Sequence, residues 1–238
     1  MAKLSELNLK KDVIKHDVAA LTELPAQMGM RPPMLQPGSY IFQLPSTNNL
    51  REAFDADDEG NLVYIFRDDA ALTVVQAPPE NEGNVGRPFG TRLSTKVRKR
   101  GKADDPNAKA VSDADYLLAA LGETAMPKTM PAYGDTLVKH GGGRFGADVE
   151  LNWSCNPKRN IRVETEGGQL VEADGANGIA EQKGCGARYY QRDVEQVDGK
   201  FPSRLNCNCG AVIFANENLT RFRKVSQQTP AKADAAKG

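Results

Sequence analysis

The chain carries four cysteines, Cys155, Cys185, Cys207 and Cys209, and all of them fall between Trp153 and Arg223. Each sits among residues that suit a tight turn: Cys155-Asn-Pro-Lys-Arg159, Gly184-Cys185-Gly186-Ala187 and Cys207-Asn-Cys209-Gly210-Ala211. A metal-ligating turn must fold backbone N–H groups around a thiolate sulfur, and a glycine after the ligand supplies the positive φ that this needs. Four thiolates at about 2.3 Å from a central ion close a tetrahedral Zn²⁺ site of the structural kind, which leaves no open position for catalysis. One half of this set is C-x-C, and the other is two cysteines separated by a long insertion, so the spacing is less regular than a pair of C-x-x-C knuckles. Two disulfides, or four unrelated buried thiols, are the alternatives. The N-terminal segment does not read as a signal peptide, which predicts a reducing, cytoplasmic setting and weighs against disulfides. The expectation is a structural Zn²⁺ held by Cys155, Cys185, Cys207 and Cys209.

Catalytic patterns are missing. There are two histidines, no G-x-S-x-G elbow, no H-E-x-x-H, no Walker A and no Rossmann glycine pattern, so no catalytic residue is nominated. Asp55, Asp57 and Asp58 are carboxylates that could hold Mg²⁺, although Phe54 to Gly60 reads more simply as an acidic turn. His140-Gly-Gly-Gly-Arg144 lacks the lysine of a phosphate loop and reads as a flexible turn between strands, with His140 a substitute metal ligand.

The formal net charge is zero, yet the charges are segregated. From Arg51 to Glu82 there are nine acidic residues against two basic ones, whereas Gly86 to Lys102 holds seven basic residues and no acidic one. Only the local field matters to a phosphate backbone, because exposed charges are screened beyond about 8 Å. Arg92, Lys96, Arg98, Lys99, Arg100 and Lys102 are therefore candidate contacts for nucleic acid, with Arg92, Lys96 and Arg98 alternating along one strand. Tyr40, Phe42, Tyr64 and Phe66 are candidate stacking platforms, although the same alternation equally suits rings that fill a core. Lys158, Arg159 and Arg162 near the first cysteine, and Arg221, Arg223 and Lys224 near the end, add positive charge.

These residues need elements to hold them. Residues 8 to 24 have the helical spacing of an amphipathic helix stopped by Pro25, and a proline-rich connector follows. Tyr40, Phe42 and Leu44 alternate as in a half-buried strand; 62–66, 71–75 and 89–97 are further strands. Ser112 and Gly122 bracket a helix over 113–121, after which Pro127 and Pro131 prevent continuation and the chain returns to β at Leu137-Val138. The alternation from Phe145 to Trp153 predicts a strand that leads straight into Cys155. Short strands at 160–165, 170–171, 187–190, 204–205 and 212–215, the last with Phe214 inward, would build a zinc ribbon. The fold class is thus mainly β with a few helices (α+β), the strands of the main domain forming a small barrel or sandwich. The divisions are an N-terminal helix and connector at 1–36, a β domain with an inserted helix at 37–152, a zinc ribbon at 153–224 and a tail at 225–238. No run approaches the roughly 20 apolar residues of a membrane span.

Three segments in this order carry a resemblance: Leu35-Gln-Pro-Gly-Ser-Tyr40, the basic strand Gly90-Thr-Arg-Leu-Ser-Thr95, and the helix Tyr116-Leu-Leu-Ala-Ala-Leu-Gly122, followed by a strand into four cysteines. Over residues 35 to 224 this order resembles the tailed-phage single-stranded DNA-binding proteins of replication and recombination modules. That resemblance implies an OB-like barrel, an embedded zinc site, single-stranded DNA as ligand, and other replication or recombination proteins as partners. The chain departs from it in lacking an acidic C-terminal tail. A structural or interaction protein with a zinc ribbon is the first alternative function, and a nucleic-acid-processing enzyme the second.

Overall fold

The computed structural model describes residues 34–51, 53–99, 110–176 and 178–225. The expected helix at 8–24, Arg100, Lys102 and all of the tail beyond Val225 lie outside them. The described chain divides into two compact units: one comprises 38–148 and returns from 219, and the other comprises 149–218 with the residues that precede 38. Mainly β architecture with a few helices is what the elements form.

In the first unit, β1 (Gly38–Gln43), β2 (Phe54–Ala56), β3 (Leu62–Phe66), β4 (Leu72–Gln76), β5 (Pro88–Phe89), β6 (Thr91–Ser94), β7 (Arg98–Lys99) and β8 (Ala110–Val111) are followed by α1 (Asp113–Leu121), α2 (Met130–Lys139) and the start of β9 (Arg144–Ser154). β1 lies between β9 and β4, with β5 beyond β4, and β2-β3-β6 form a separate antiparallel sheet. Both sheets are open among the described residues, so these strands do not close the barrel expected over 37–152. Alternation drives the packing: Tyr40 and Phe42 of β1 point inward with Val74, Phe89 and Phe145, the Phe42 ring lying 5.1 Å from Phe89 and 5.7 Å from Phe145. Each such ring contributes on the order of 1.5–3 kcal/mol by leaving water.

α1 forms where its cap predicts. Ser112 Oγ accepts the Asp115 N–H at 3.0 Å while the Asp115 carboxylate accepts the Ser112 N–H at 3.1 Å, a reciprocal capping box, and Gly122 ends the helix at φ 113°. Asp115 also accepts the Tyr133 hydroxyl at 2.7 Å, and the Tyr64 hydroxyl donates to the Tyr133 carbonyl at 3.1 Å, which ties β3, α1 and α2 together. α2 corrects the expectation of a strand at Leu137-Val138. α1 ends at Leu121 as expected, and Pro131 occupies the first turn of a new helix, where a missing N–H costs nothing. Gly134 belongs there for contact, because a β-carbon on it would lie 2.7 Å from the Phe54 ring. The glycine run after His140 then joins α2 to β9, a helix-to-strand turn and not the expected strand-to-strand one.

The second unit holds the rest of β9, β10 (Arg162–Glu164), β11 (Leu170–Glu172), β12 (Arg188–Tyr190), β13 (Arg204–Asn206) and most of β14 (Val212–Lys224). β10 and β11 form the expected hairpin around Gly167-Gly168, and β12 pairs with β9 as β13 does with β14. β14 is much longer than 212–215 and ends in the first unit. Its buried residues are Val212, Ile213 and Leu219; Phe214, expected inward, is only half-buried and lies under the Arg162 guanidinium at 6.0 Å. Trp153, Leu151, Val163, Leu205 and Ile213 build the core, and Cys155 and Cys207 belong to it. No helix among the described residues is long and apolar enough to cross a membrane.

Candidate metal centre

The four cysteines arrive on separate turns and converge. Cys155 directly follows β9, Cys185 precedes β12, and Cys207 and Cys209 occupy the turn between β13 and β14. Their four sulfur atoms all lie within 4.8 Å of one another, with Cys155 Sγ 3.6 Å from Cys209 Sγ and Cys185 Sγ 3.4 Å from Cys207 Sγ. A disulfide bond is about 2.05 Å long, so these are four free thiols. Ligands at about 2.3 Å from a tetrahedral ion stand about 3.8 Å apart, and the two shortest sulfur pairs lie within a few tenths of an ångström of that spacing. Among the described residues this is the one cluster of metal-ligating side chains of its kind.

Two turns of identical sequence build half of the site. Cys185-Gly186-Ala187 and Cys209-Gly210-Ala211 each place glycine at positive φ, 82° and 87°, and each aims the alanine N–H at the cysteine sulfur. Hydrogen bonds join the knuckles: the Cys155 N–H donates to the Ala187 carbonyl and the Gly186 N–H to the Cys155 carbonyl, both at 2.9 Å, while the Cys185 N–H donates to Cys155 Sγ at 3.3 Å. In the last turn Cys207 N–H donates to the Ala211 carbonyl at 2.7 Å. The Tyr189 hydroxyl lies 3.5 Å from Cys207 Sγ and adds a polar contact on the buried side.

The electrostatics divide the four thiols. Burial pushes Cys155 up to about 12 and raises Cys209 as well, whereas the N–H of Ala187, with help from the Cys207 thiol, brings Cys185 down to about 7. Four adjacent sulfurs cannot all ionise at neutral pH unless a cation offsets the desolvation and mutual repulsion. The donor set, the N–H groups aimed at sulfur and the closed geometry suit a metal ion held entirely by protein.

The predicted nucleic-acid residues fare unevenly. Tyr40, Phe42, Tyr64 and Phe66 are all buried, none more than 1% exposed, so they fill the core and offer no face to a base. The same sheet alternation that made them candidates turns them inward. The basic strand is broken as well: β6 ends at Ser94, whose hydroxyl accepts the Lys96 N–H at 3.0 Å, and Arg98 and Lys99 belong to β7, which pairs with β8 and not with β3. Arg92, Lys96 and Arg98 therefore form no single row. Arg92 is exposed, and Lys96 is taken up by Glu59 at 2.7 Å. His140 is 2.9 Å from Glu123 and takes no part in the cysteine cluster. Asp57 accepts the N–H groups of Glu59 and Asn61 at 3.0 and 2.8 Å, which makes the acidic stretch a turn built around one carboxylate.

A different surface stands out around the knuckles. Lys158, Arg159 and Arg188 are exposed and have no carboxylate partner among the described residues. Tyr190 is 45% exposed, with the Arg192 guanidinium over its ring at 5.3 Å. The sequence signal for this ring was the pair Tyr189-Tyr190, in which period-two alternation must send one ring inward and one out. No protein family, curated protein or solved structure matches this chain.

Proposed function

We propose that this chain binds single-stranded DNA without strong sequence preference, and that its cysteine unit is a zinc ribbon held by structural Zn²⁺. Cys155, Cys185, Cys207 and Cys209 would be the ligands, and the ion would supply folding energy by replacing sulfur–sulfur repulsion with coordination. The observation that carries the DNA reading is the group of cations Lys158, Arg159 and Arg188, exposed and without a carboxylate partner among the described residues, on and beside the cysteine turns. Cations with no carboxylate partner among the described residues lose little by turning to phosphate, and a chain of zero formal net charge can still present positive charge locally. Arg92 adds one exposed charge in the other unit. The order of elements leading into the four cysteines, which resembles phage single-stranded DNA-binding proteins, supports a role in replication or recombination.

Fluorescence anisotropy of the zinc-loaded chain with labelled oligo-dT, run in a salt series, tests the reading. Binding should weaken on a logarithmic slope of about −0.7 per phosphate neutralised. Joint replacement of Lys158, Arg159 and Arg188 by alanine should lower the slope by up to about 2, and Arg92→Ala by less than 1. Zinc-loaded protein with no affinity for oligo-dT at low salt would instead favour an interaction protein.

A further inference from the structure

A cavity of about 380 Å³ opens beside the β9–β12 pair, lined by residues 152–157 together with Gly186, Arg188 and Tyr190. Register decides which side chains face it. Arg188 lies opposite Ser154, Tyr189 opposite Trp153 and Tyr190 opposite Asn152. Residues directly opposite in an antiparallel pair share a face, so Asn152, Ser154, Arg188 and Tyr190 stand on one side, while Trp153 and Tyr189 turn to the core and the cysteines. The two faces of β12 are thus divided between metal centre and solvent.

The composition of the outer face is specific. Tyr190 is a large, exposed ring already stacked on one guanidinium, and its backbone N–H donates to the Asp193 carboxylate at 2.9 Å, which holds its position. Arg188 stands two residues away on the same face, with no carboxylate partner among the described residues. Lys158 and Arg159 follow Pro157 on the adjacent turn, whose Asn156 side chain accepts the Lys158 N–H at 2.9 Å. Asp193 is the carboxylate nearest in sequence, and it is occupied by the Tyr190 N–H and by Arg192 at 3.6 Å. An aromatic face beside cations that have no carboxylate partner among the described residues, with asparagines lining a space at the small end of ligand-pocket size, matches one nucleotide of a flexible strand.

We propose that this cavity is a nucleotide subsite for single-stranded DNA. One base stacks on Tyr190, Arg188 holds its phosphate, and Lys158 and Arg159 take the neighbouring phosphates. A duplex would not fit the same contacts, because its bases are already stacked on one another. The subsite rests on the DNA-binding reading above and gives it a location.

The test uses the full zinc-loaded chain and labelled oligo-dT in a salt series, with Tyr190→Ala, Tyr190→Phe and Arg188→Ala. Tyr190→Ala should weaken binding about 5- to 100-fold and leave the salt slope unchanged, since one stacked base is lost and no charge is. Tyr190→Phe keeps the ring and should bind within about 2-fold of the unsubstituted chain. Arg188→Ala should lower the slope by about 0.7. The emission of the single tryptophan, Trp153, and the zinc content should be the same in all variants, which separates a lost contact from a lost fold. If the unsubstituted chain binds and Tyr190→Ala binds equally well, the subsite is wrong and the DNA reading survives. If the unsubstituted chain does not bind, the reading itself falls. Tighter binding of oligo-rU than of oligo-dT would overturn the assignment to DNA.

Discussion

Gly184 sits against the backbone of Asn156, so close that a β-carbon on it would lie 2.7 Å from the Asn156 carbonyl carbon and closer still to its oxygen. This is contact between main chains, which cannot relax as a flexible side chain would. It brings the first knuckle, after Cys155, onto the second, before Cys185.

Gly184→Ala should therefore separate the two knuckles. The expected cost is more than about 2 kcal/mol of stability, in the range of substitutions that force backbone strain. Gly83→Ala is the control, since Gly83 has open space around it and no positive φ, and it should be neutral or stabilising by up to about 1 kcal/mol. Thermal unfolding of both variants, with zinc measured on each, checks the difference. Equal midpoints would show that the contact between knuckles contributes nothing.

Metal removal should be visible in one optical signal. Trp153 is fully buried two residues before Cys155, in the same core as Cys155 and Cys207. One Zn²⁺ per chain is expected, and a strong chelator should shift Trp153 emission to the red as the second unit opens, because site assembly and folding are coupled. Cys209→Ser should reproduce the shift without chelator. Unchanged emission and midpoint after metal is stripped would mean that the unit stands on its apolar core alone.

Asp148 anchors the end of β14 and sets an acid limit. Burial opposes its ionisation, but the Ser39 hydroxyl and Arg223, each at 2.7 Å, and Arg221 at 3.7 Å hold its pKa below the ordinary carboxylate value of 3.8. A carboxyl with a lowered folded pKa stabilises the fold above its unfolded value, and that contribution is lost as the pH falls through the folded value. The stability of the first unit should accordingly be independent of this group above about pH 5 and decline below about pH 4. Asp148→Asn should cost about 1–2 kcal/mol at neutral pH and flatten that decline. Urea midpoints between pH 3 and pH 7 for the two proteins measure both effects.

The capping box of α1 makes a smaller, local prediction. Ser112→Ala removes the acceptor of the Asp115 N–H and should cost about 1 kcal/mol. Ser112→Asp should keep most of that stability, since a carboxylate also accepts and suits the helix N-terminus. A midpoint for Ser112→Ala equal to the unsubstituted value would remove the cap from the account of α1.

Local chemistry was legible in the sequence wherever one short segment contains its own cause. The α1 cap from Ser112 to Gly122 and β3 appear at their expected residues, and β1 and β4 within one residue of them, because a capping side chain and period-two alternation act within a few residues. The four cysteines announced their own chemistry by type, and the glycines beside them announced the turns. What the sequence could not contain is which alternate face turns inward and which strands share a ladder. Tyr40, Phe42, Tyr64 and Phe66 look the same as exposed stacking residues until sheet packing buries them, while Tyr190 is left outside because β12 is only three residues long and Tyr189 takes the inner face. The basic row at 92–98 was continuous in sequence but split between β6 and β7, since pairing partners belong to distant segments. α2 escaped because a proline and a glycine weaken local helix propensity, and only Phe54, far away in sequence, explains the glycine. The convergence of Cys155 with Cys209, 54 residues later, is likewise a property of the fold: the long strands β9 and β14 deliver both thiols to one point.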